Sequence, residues 1–120
     1  MADGELSFFE LGVEDAELGR AFYGGLFSGW RFEAAPEGAG FAIETPKVSG
    51  GLHGHDAKAG PYVFFAVADL EAALERVREL GGEVEELDVE GDEESQKQFG
   101  RFKLCRDDQG SPFGLHQPAS

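Results

Sequence analysis

Tyr62-Val63-Phe64-Phe65-Ala66-Val67-Ala68-Asp69-Leu70 opens the clearest pair of elements in the chain. A short apolar and aromatic run bounded by a polar residue reads as a strand. Asp69 reads as a helix N-cap, because its carboxylate can accept the free amide hydrogens of the first turn. Leu70, Ala73, Leu74, Val77 and Leu80 then recur on one helix face, and Gly81-Gly82 supplies a left-handed stop. The same order occurs 54 positions earlier, with Asp15 in the place of Asp69. There Phe8-Phe9-Glu10-Leu11-Gly12-Val13-Glu14 is the strand, and Leu18, Phe22 and Leu26 share one face of the helix. Gly24-Gly25 weakens that helix near its end, and Ser28-Gly29 stops it.

Working outward, three short strand-like runs follow each helix. They are Trp30–Glu33, Phe41–Thr45 and Gly50–His53 in the first half, then Glu83–Leu87, Phe102–Cys105 and Phe113–His116 in the second. The last run of each half contains Gly-Leu-His, at 51–53 and at 114–116. Each half is therefore β-α-β-β-β. The expectation is one domain over residues 1–120, with modules at about 6–56 and 60–117. Neither module could bury a sheet face alone, so the two complete one another.

Composition bounds the function. A chain of 120 residues is the size of one domain. Ten basic against 24 acidic residues leave a net charge of −14, which repels nucleic-acid backbones and anionic lipid. Neither nucleic acid nor membrane is expected as a partner. The same charge attracts a cationic ligand, although it also serves solubility. One cysteine, Cys105, excludes an intrachain disulfide and a cysteine-rich zinc site. No apolar run approaches the ~18 residues of a membrane span. The acidic start, Asp3-Gly4-Glu5, is unlike a signal peptide, so a cytoplasmic location is expected. Residues 90–98, within an acid-rich stretch, read as an exposed loop.

Three motifs in order resemble the vicinal oxygen chelate superfamily, the glyoxalase/bleomycin-resistance/dioxygenase fold. The first is Phe9–Asp15 with Ala21-Phe22-Tyr23 and Leu26–Trp30. The second runs from Val67-Ala68-Asp69 through Leu80-Gly81-Gly82. The third is the closing turn and strand, Arg106–Leu115. The resemblance is to the uncharacterised bacterial glyoxalase-like members above all. It implies an α+β chain in which two βαβββ modules form curved sheets around a cleft. It also implies a homodimer and a ligand held in that cleft. In the metal-dependent members, His, Glu or Gln from the first and fourth strands of each module hold a divalent cation.

Transferred to this chain, those positions fall on Phe8, Gly51, Tyr62 and Gly114. Phenylalanine and glycine offer no donor atom, and a neutral tyrosine is a poor ligand. Neither a metal nor any other cofactor is therefore expected. Two residues further along each strand, on the same face, stand Glu10, His53, Phe64 and His116. Two histidines and one carboxylate make a recognised metal set. A lyase, isomerase or dioxygenase using the displaced Glu10, His53 and His116 is the alternative reading. The favoured reading is a binding protein without the family metal, taking a small aromatic or cationic molecule. Phe8, Tyr62 and Phe64 would wall its cleft with Trp30 at the rim, and Glu10, His53 and His116 would be the polar fixings. A solidly filled cleft would instead favour an interaction subunit. His55 reads as part of a flexible turn and Cys105 as a small packed residue rather than a nucleophile.

Overall fold

The structure is a computed structural model and describes residues 3–38, 40–56, 61–86 and 93–119, the side chains of Glu37 and Ser95 excepted. Among these residues the chain is mixed α+β, with two βαβββ modules in the expected order. It divides into two compact units, Phe8–Tyr62 and a second made of the chain up to Ser7 together with the segment from Val63 onward.

In the first unit the elements are β1 (Leu6–Gly12, mostly within this unit), α1 (Ala16–Leu26), β2 (Arg31–Ala34), β3 (Phe41–Glu44) and β4 (Ser49–His53). β3 runs antiparallel to both β2 and β4, and β1 runs parallel to β4. Asp15 caps α1 as the sequence indicates, accepting from the Leu18 amide at 3.1 Å. The face that α1 turns to the sheet differs from expectation. Leu18, Phe22 and Leu26 are exposed, whereas Gly19 is the buried residue of the helix. A Cβ on Gly19 would crowd the side chains of Val13 and Leu52, so the bare glycine lets the helix lie this close to β4 without displacing them. Tyr23 and Ala16, at helical spacing from Gly19, pack with it around the buried Leu11, Ile43 and Leu52.

The second unit contains β5 (Tyr62–Ala66, its first residue excepted), α2 (Leu70–Glu79), β6 (Glu83–Val84), α3 (Glu93–Phe99), β7 (Arg101–Arg106) and β8 (Pro112–Gln117). β8 lies between a parallel β5 and an antiparallel β7, and β6 pairs with the outer side of β7. Here α2 matches its periodicity. Leu70 and Leu74 are buried with Cys105 and Leu115, and Ala73 and Val77 pack against them. Asp69 accepts from the Ala72 amide, and Gly81 ends the helix at φ +93. Cys105 is fully buried, and that burial pushes its thiol pKa up. In the turn between β7 and β8, Asp107 accepts the amide hydrogens of Gln109 and Ser111, each at 2.9 Å.

The Gly4 amide donates to the Ala66 carbonyl and the Ala66 amide to Glu5, both at 2.8 Å, so the residues before β1 belong with the second unit. One expectation about organisation is corrected. Residues 90–98 are not a loop throughout, because 93–99 is helical, with Glu93 and Glu94 in the first turn and Lys97 in the last, signs that suit a helix dipole. Residues 90–92, and Leu87 at the end of the sixth expected strand, lie outside the described residues. None of the helices among the described residues is long and apolar enough to cross a membrane.

Candidate functional site

Within the first unit, strand alternation decides which side chains can meet. Phe9 and Leu11 point to the α1 side, and Phe8 and Glu10 point to the other. Register pairs Glu10 with Gly51 and Gly12 with His53. Glu10 extends over Gly51, where a Cβ would collide with its carboxylate. That glycine lets the carboxylate lie along the sheet and reach His53 on the neighbouring strand.

His53 is held at both ring nitrogens. Nδ1 stands 2.7 Å from Glu10 Oε2, and Nε2 stands 2.8 Å from Asp56 Oδ2. Asp56 also accepts from the Tyr62 hydroxyl at 3.2 Å. The His53 and Tyr62 rings lie at a shallow angle of 29°, with centroids 6.4 Å apart. Glu10 draws the His53 pKa up to about 9, and Asp56 adds to the rise against the opposing effect of burial. His53 is therefore an imidazolium at neutral pH, donating from both nitrogens. Its proton in turn holds the Asp56 carboxyl below the usual range. Burial, with the neighbouring Asp56 charge, pushes the Tyr62 phenol up. Two carboxylates, one imidazolium and a neutral phenol leave one net negative charge. All three charged side chains are about one-third exposed or less.

Asp56 was not among the sequence-derived candidates. The His53-Gly54-His55-Asp56 stretch reads as flexible, yet the His55 amide donates to Glu14 at 3.0 Å and the Asp56 amide to Val13 at 3.0 Å. His55 takes φ +58 to make this turn. The available signal was the three-residue spacing between His53 and Asp56, which a turn brings to one side. Residues 57–60 of the same stretch lie outside the described residues.

Trp30 is corrected. It was expected at the rim of the cleft, but it packs on the α1 side, 5.3 Å from Phe9 and 4.7 Å from Phe27. Its neighbours on that side include the Leu11, Ile43 and Leu52 core, opposite in facing to Glu10. Phe8 and Phe64 are both buried, and Phe64 sits edge-on to Phe102.

His116 belongs to the second unit and is 5% exposed. Its Nε2 donates to the Phe99 carbonyl at 2.6 Å, which leaves Nδ1 to accept from the Ser7 hydroxyl at 2.8 Å. The ring stacks flat on Phe102 at 4.3 Å. Burial lowers its pKa, so this ring is neutral at neutral pH. Of the residues in the displaced set, Glu10 and His53 lie in the first unit and His116 in the second. Both nitrogens of each histidine already face partners inside their own units. A metal needs donors aimed at one shared point, whereas His53 stands between its two carboxylates. Among the described residues no group of three or more His, Cys, Asp and Glu could hold an ion. The family positions fit no better. Register pairs Phe8 with Ser49 rather than Gly51, and Phe64 with Gly114, so the nominal ligand positions bring no donor together.

No protein-family model and no curated protein matches the sequence. Solved structures do match. A hypothetical protein from Bacillus halodurans is 15% identical with a TM-score of 0.68, covering 99% of this chain and 97% of that one. A Streptomyces coelicolor methylmalonyl-CoA epimerase variant in complex with 2-nitronate-propionyl-CoA is 16% identical with a TM-score of 0.64, covering 99% and 100%. The Mycobacterium tuberculosis methylmalonyl-CoA epimerase is 18% identical with a TM-score of 0.63, covering 97% and 89%. The chain has the vicinal oxygen chelate fold. Within that fold, Glu10 on the first strand and His53 on the fourth strand of the first module are hydrogen-bonded to each other, and Asp56 and Tyr62 extend the cluster.

Proposed function

We propose that this chain binds a small organic cation, with an aromatic or apolar body, at the Glu10–His53–Asp56–Tyr62 cluster. The observation that carries this reading is the state of His53. Its protons are committed to two carboxylates, and one negative charge is left over beside the Tyr62 ring. A positive ligand gains from that charge, from a ring face and from the field of a chain at −14. His53 is not a general base near neutral pH, because a group with a pKa of about 9 is already protonated there. Binding needs no such base.

Thermal unfolding in the presence of benzyltrimethylammonium, with benzoate and benzyl alcohol as controls of opposite and no charge, tests this. The cation is expected to raise the midpoint while the other two leave it in place. Glu10→Gln, which removes a charge from the cluster, should abolish the rise. Equal responses to all three compounds, or none to the cation at millimolar concentration, would refute the proposal.

A further inference from the structure

The second unit holds a cavity of about 600 Å³, within the size range of small-molecule sites, and every residue that lines it belongs to that unit. Its lining comes from α3, from the start of β7 and from the chain that leaves β8. Gly100 forms part of the floor. It is buried, takes φ +94 and donates its amide to the Gln96 carbonyl at 2.9 Å. A Cβ there would overlap the Gln117 carbonyl, so the bare glycine lets α3 turn into β7 beneath the outgoing chain. Two contacts tie the wall to α2. The Gln117 side chain accepts from the Leu70 amide at 2.8 Å, and Arg101 meets Glu71 at 2.9 Å. The frame is thus braced before any ligand arrives.

Charge decides what fits. Glu93 and Lys97 stand one turn apart on α3, and both line the cavity. Opposite charges at this spacing commonly pair across the turn. Here, among the described residues, neither has an ion-pair partner, whereas Arg101 is balanced by Glu71. An open acid and an open base are therefore what the cavity offers. A simple anion would gain Lys97 but meet Glu93 and the field of a chain at −14. A simple cation would gain Glu93 but meet Lys97 and Arg101 beside it. A molecule with one charge of each sign gains both contacts and carries no net charge against the field.

Spacing sets the length of that molecule. Cβ atoms one helical turn apart lie about 6 Å from each other. A dipeptide spans at most about 7 Å, so its two ends match that separation. Pro118 and Ala119 add an apolar edge suited to small side chains. Glu93 and Lys97 are both exposed, so each charge contact changes affinity only about threefold to fivefold.

We infer that this cavity is a second ligand site, taking a short zwitterion of dipeptide length with its ammonium at Glu93 and its carboxylate at Lys97. It is independent of the cation site in the first unit. Titration of the full chain with L-alanyl-L-alanine to about 50 mM, followed by backbone amide resonances, tests this. The amides of Lys97, Gly100 and Arg101 should shift and saturate, with a dissociation constant of about 1–10 mM. N-acetyl-L-alanyl-L-alanine keeps only the carboxylate, and L-alanyl-L-alaninamide keeps only the ammonium. Each should bind about threefold to fivefold more weakly than the unblocked dipeptide. Lys97→Gln should weaken the unblocked dipeptide by that factor without weakening the amide. Glu93→Gln should weaken it likewise without weakening the N-acetyl form. Lys47→Gln, the same charge change at an exposed lysine of the first unit, should leave binding unchanged, and so should Glu10→Gln. No saturating shift at the three amides would overturn the inference. So would a blocked form that binds as tightly as the zwitterion, or a Lys47→Gln loss equal to that of Lys97→Gln.

Discussion

His53 and His116 stand on the last strand of each module, each after a Gly-Leu pair, and they have opposite chemistry. His53 lies between two carboxylates and is charged. His116 lies between a hydroxyl and a carbonyl, flat against Phe102, and is neutral. The glycine two residues before each explains part of the divergence. Gly51 lies under Glu10, and Gly114 lies under Phe64. The register partner on the neighbouring strand is thus a carboxylate in one module and a phenyl ring in the other. One repeat position has become a polar, half-exposed site, and its equivalent has become a sealed part of a core. Duplicated backbone geometry leaves the electrostatics of each copy to a single side chain.

The sharpest way to break this comparison is to truncate both rings. His116→Ala should cost about 3 kcal/mol, because it opens a cavity beside Phe102 and removes the ring's hydrogen bonds to Ser7 and the Phe99 carbonyl. His53→Ala should cost about 1 kcal/mol or less, since its partners are part-exposed and can turn to water. Urea unfolding with both variants measures the difference. Equal losses would mean that the two environments are not as distinct as the hydrogen bonds indicate.

The glycines offer a smaller contrast. Gly114→Ala should cost about 2 kcal/mol, because the obstructing atoms belong to the ring of a buried Phe64 that has nowhere to go. Gly51→Ala should cost less than about 1 kcal/mol, because the obstructing atoms are the end of a flexible Glu10 side chain. The Gly51 variant should still lower the His53 pKa, by displacing that carboxylate. Histidine proton resonances followed through a pH titration report this directly.

Stability against pH sharpens the comparison without mutation. His53 has a folded pKa of about 9, above its unfolded value of about 6.5. Its contribution is complete below about 6.5 and is lost as pH rises through about 9. The folded pKa of His116 lies below the same reference, so its contribution is present above about 6.5 and lost as pH falls. Together they place the histidine-dependent maximum near pH 6.5. In the Glu10→Gln variant the alkaline loss should shrink while the acid loss stays. An alkaline limb unchanged by Glu10→Gln would remove His53 from the explanation.

Much of this architecture was legible in residue order. The two Asp caps, the α2 stripe and the Gly-Leu-His strands are local signals, and each acts within one turn or one strand. The α3 segment escaped because its acidic composition resembles a solvated loop as closely as a short helix. Of the site, Tyr62 comes from the position the family resemblance implies, and Glu10 and His53 from strand alternation counted from such positions. Asp56 was missed because its role depends on a turn that two backbone hydrogen bonds hold. Trp30 reads as the start of a strand, whereas β2 begins only at Arg31, so alternation along that run gives it no face.

The sequence by itself determined the order of elements, the duplication and the cap at each helix start, because these follow from interactions between near neighbours in the chain. Only the tertiary structure decided which face of α1 meets the sheet, since Gly19 yields to the approach of Leu52 where Leu18 and Phe22 would obstruct it. Only the tertiary structure decided the charge on each histidine. A pKa is set by what stands within a few ångströms: for His53 the deciding group is the carboxylate of the sequence-distant Glu10, and for His116 it is burial in the folded chain.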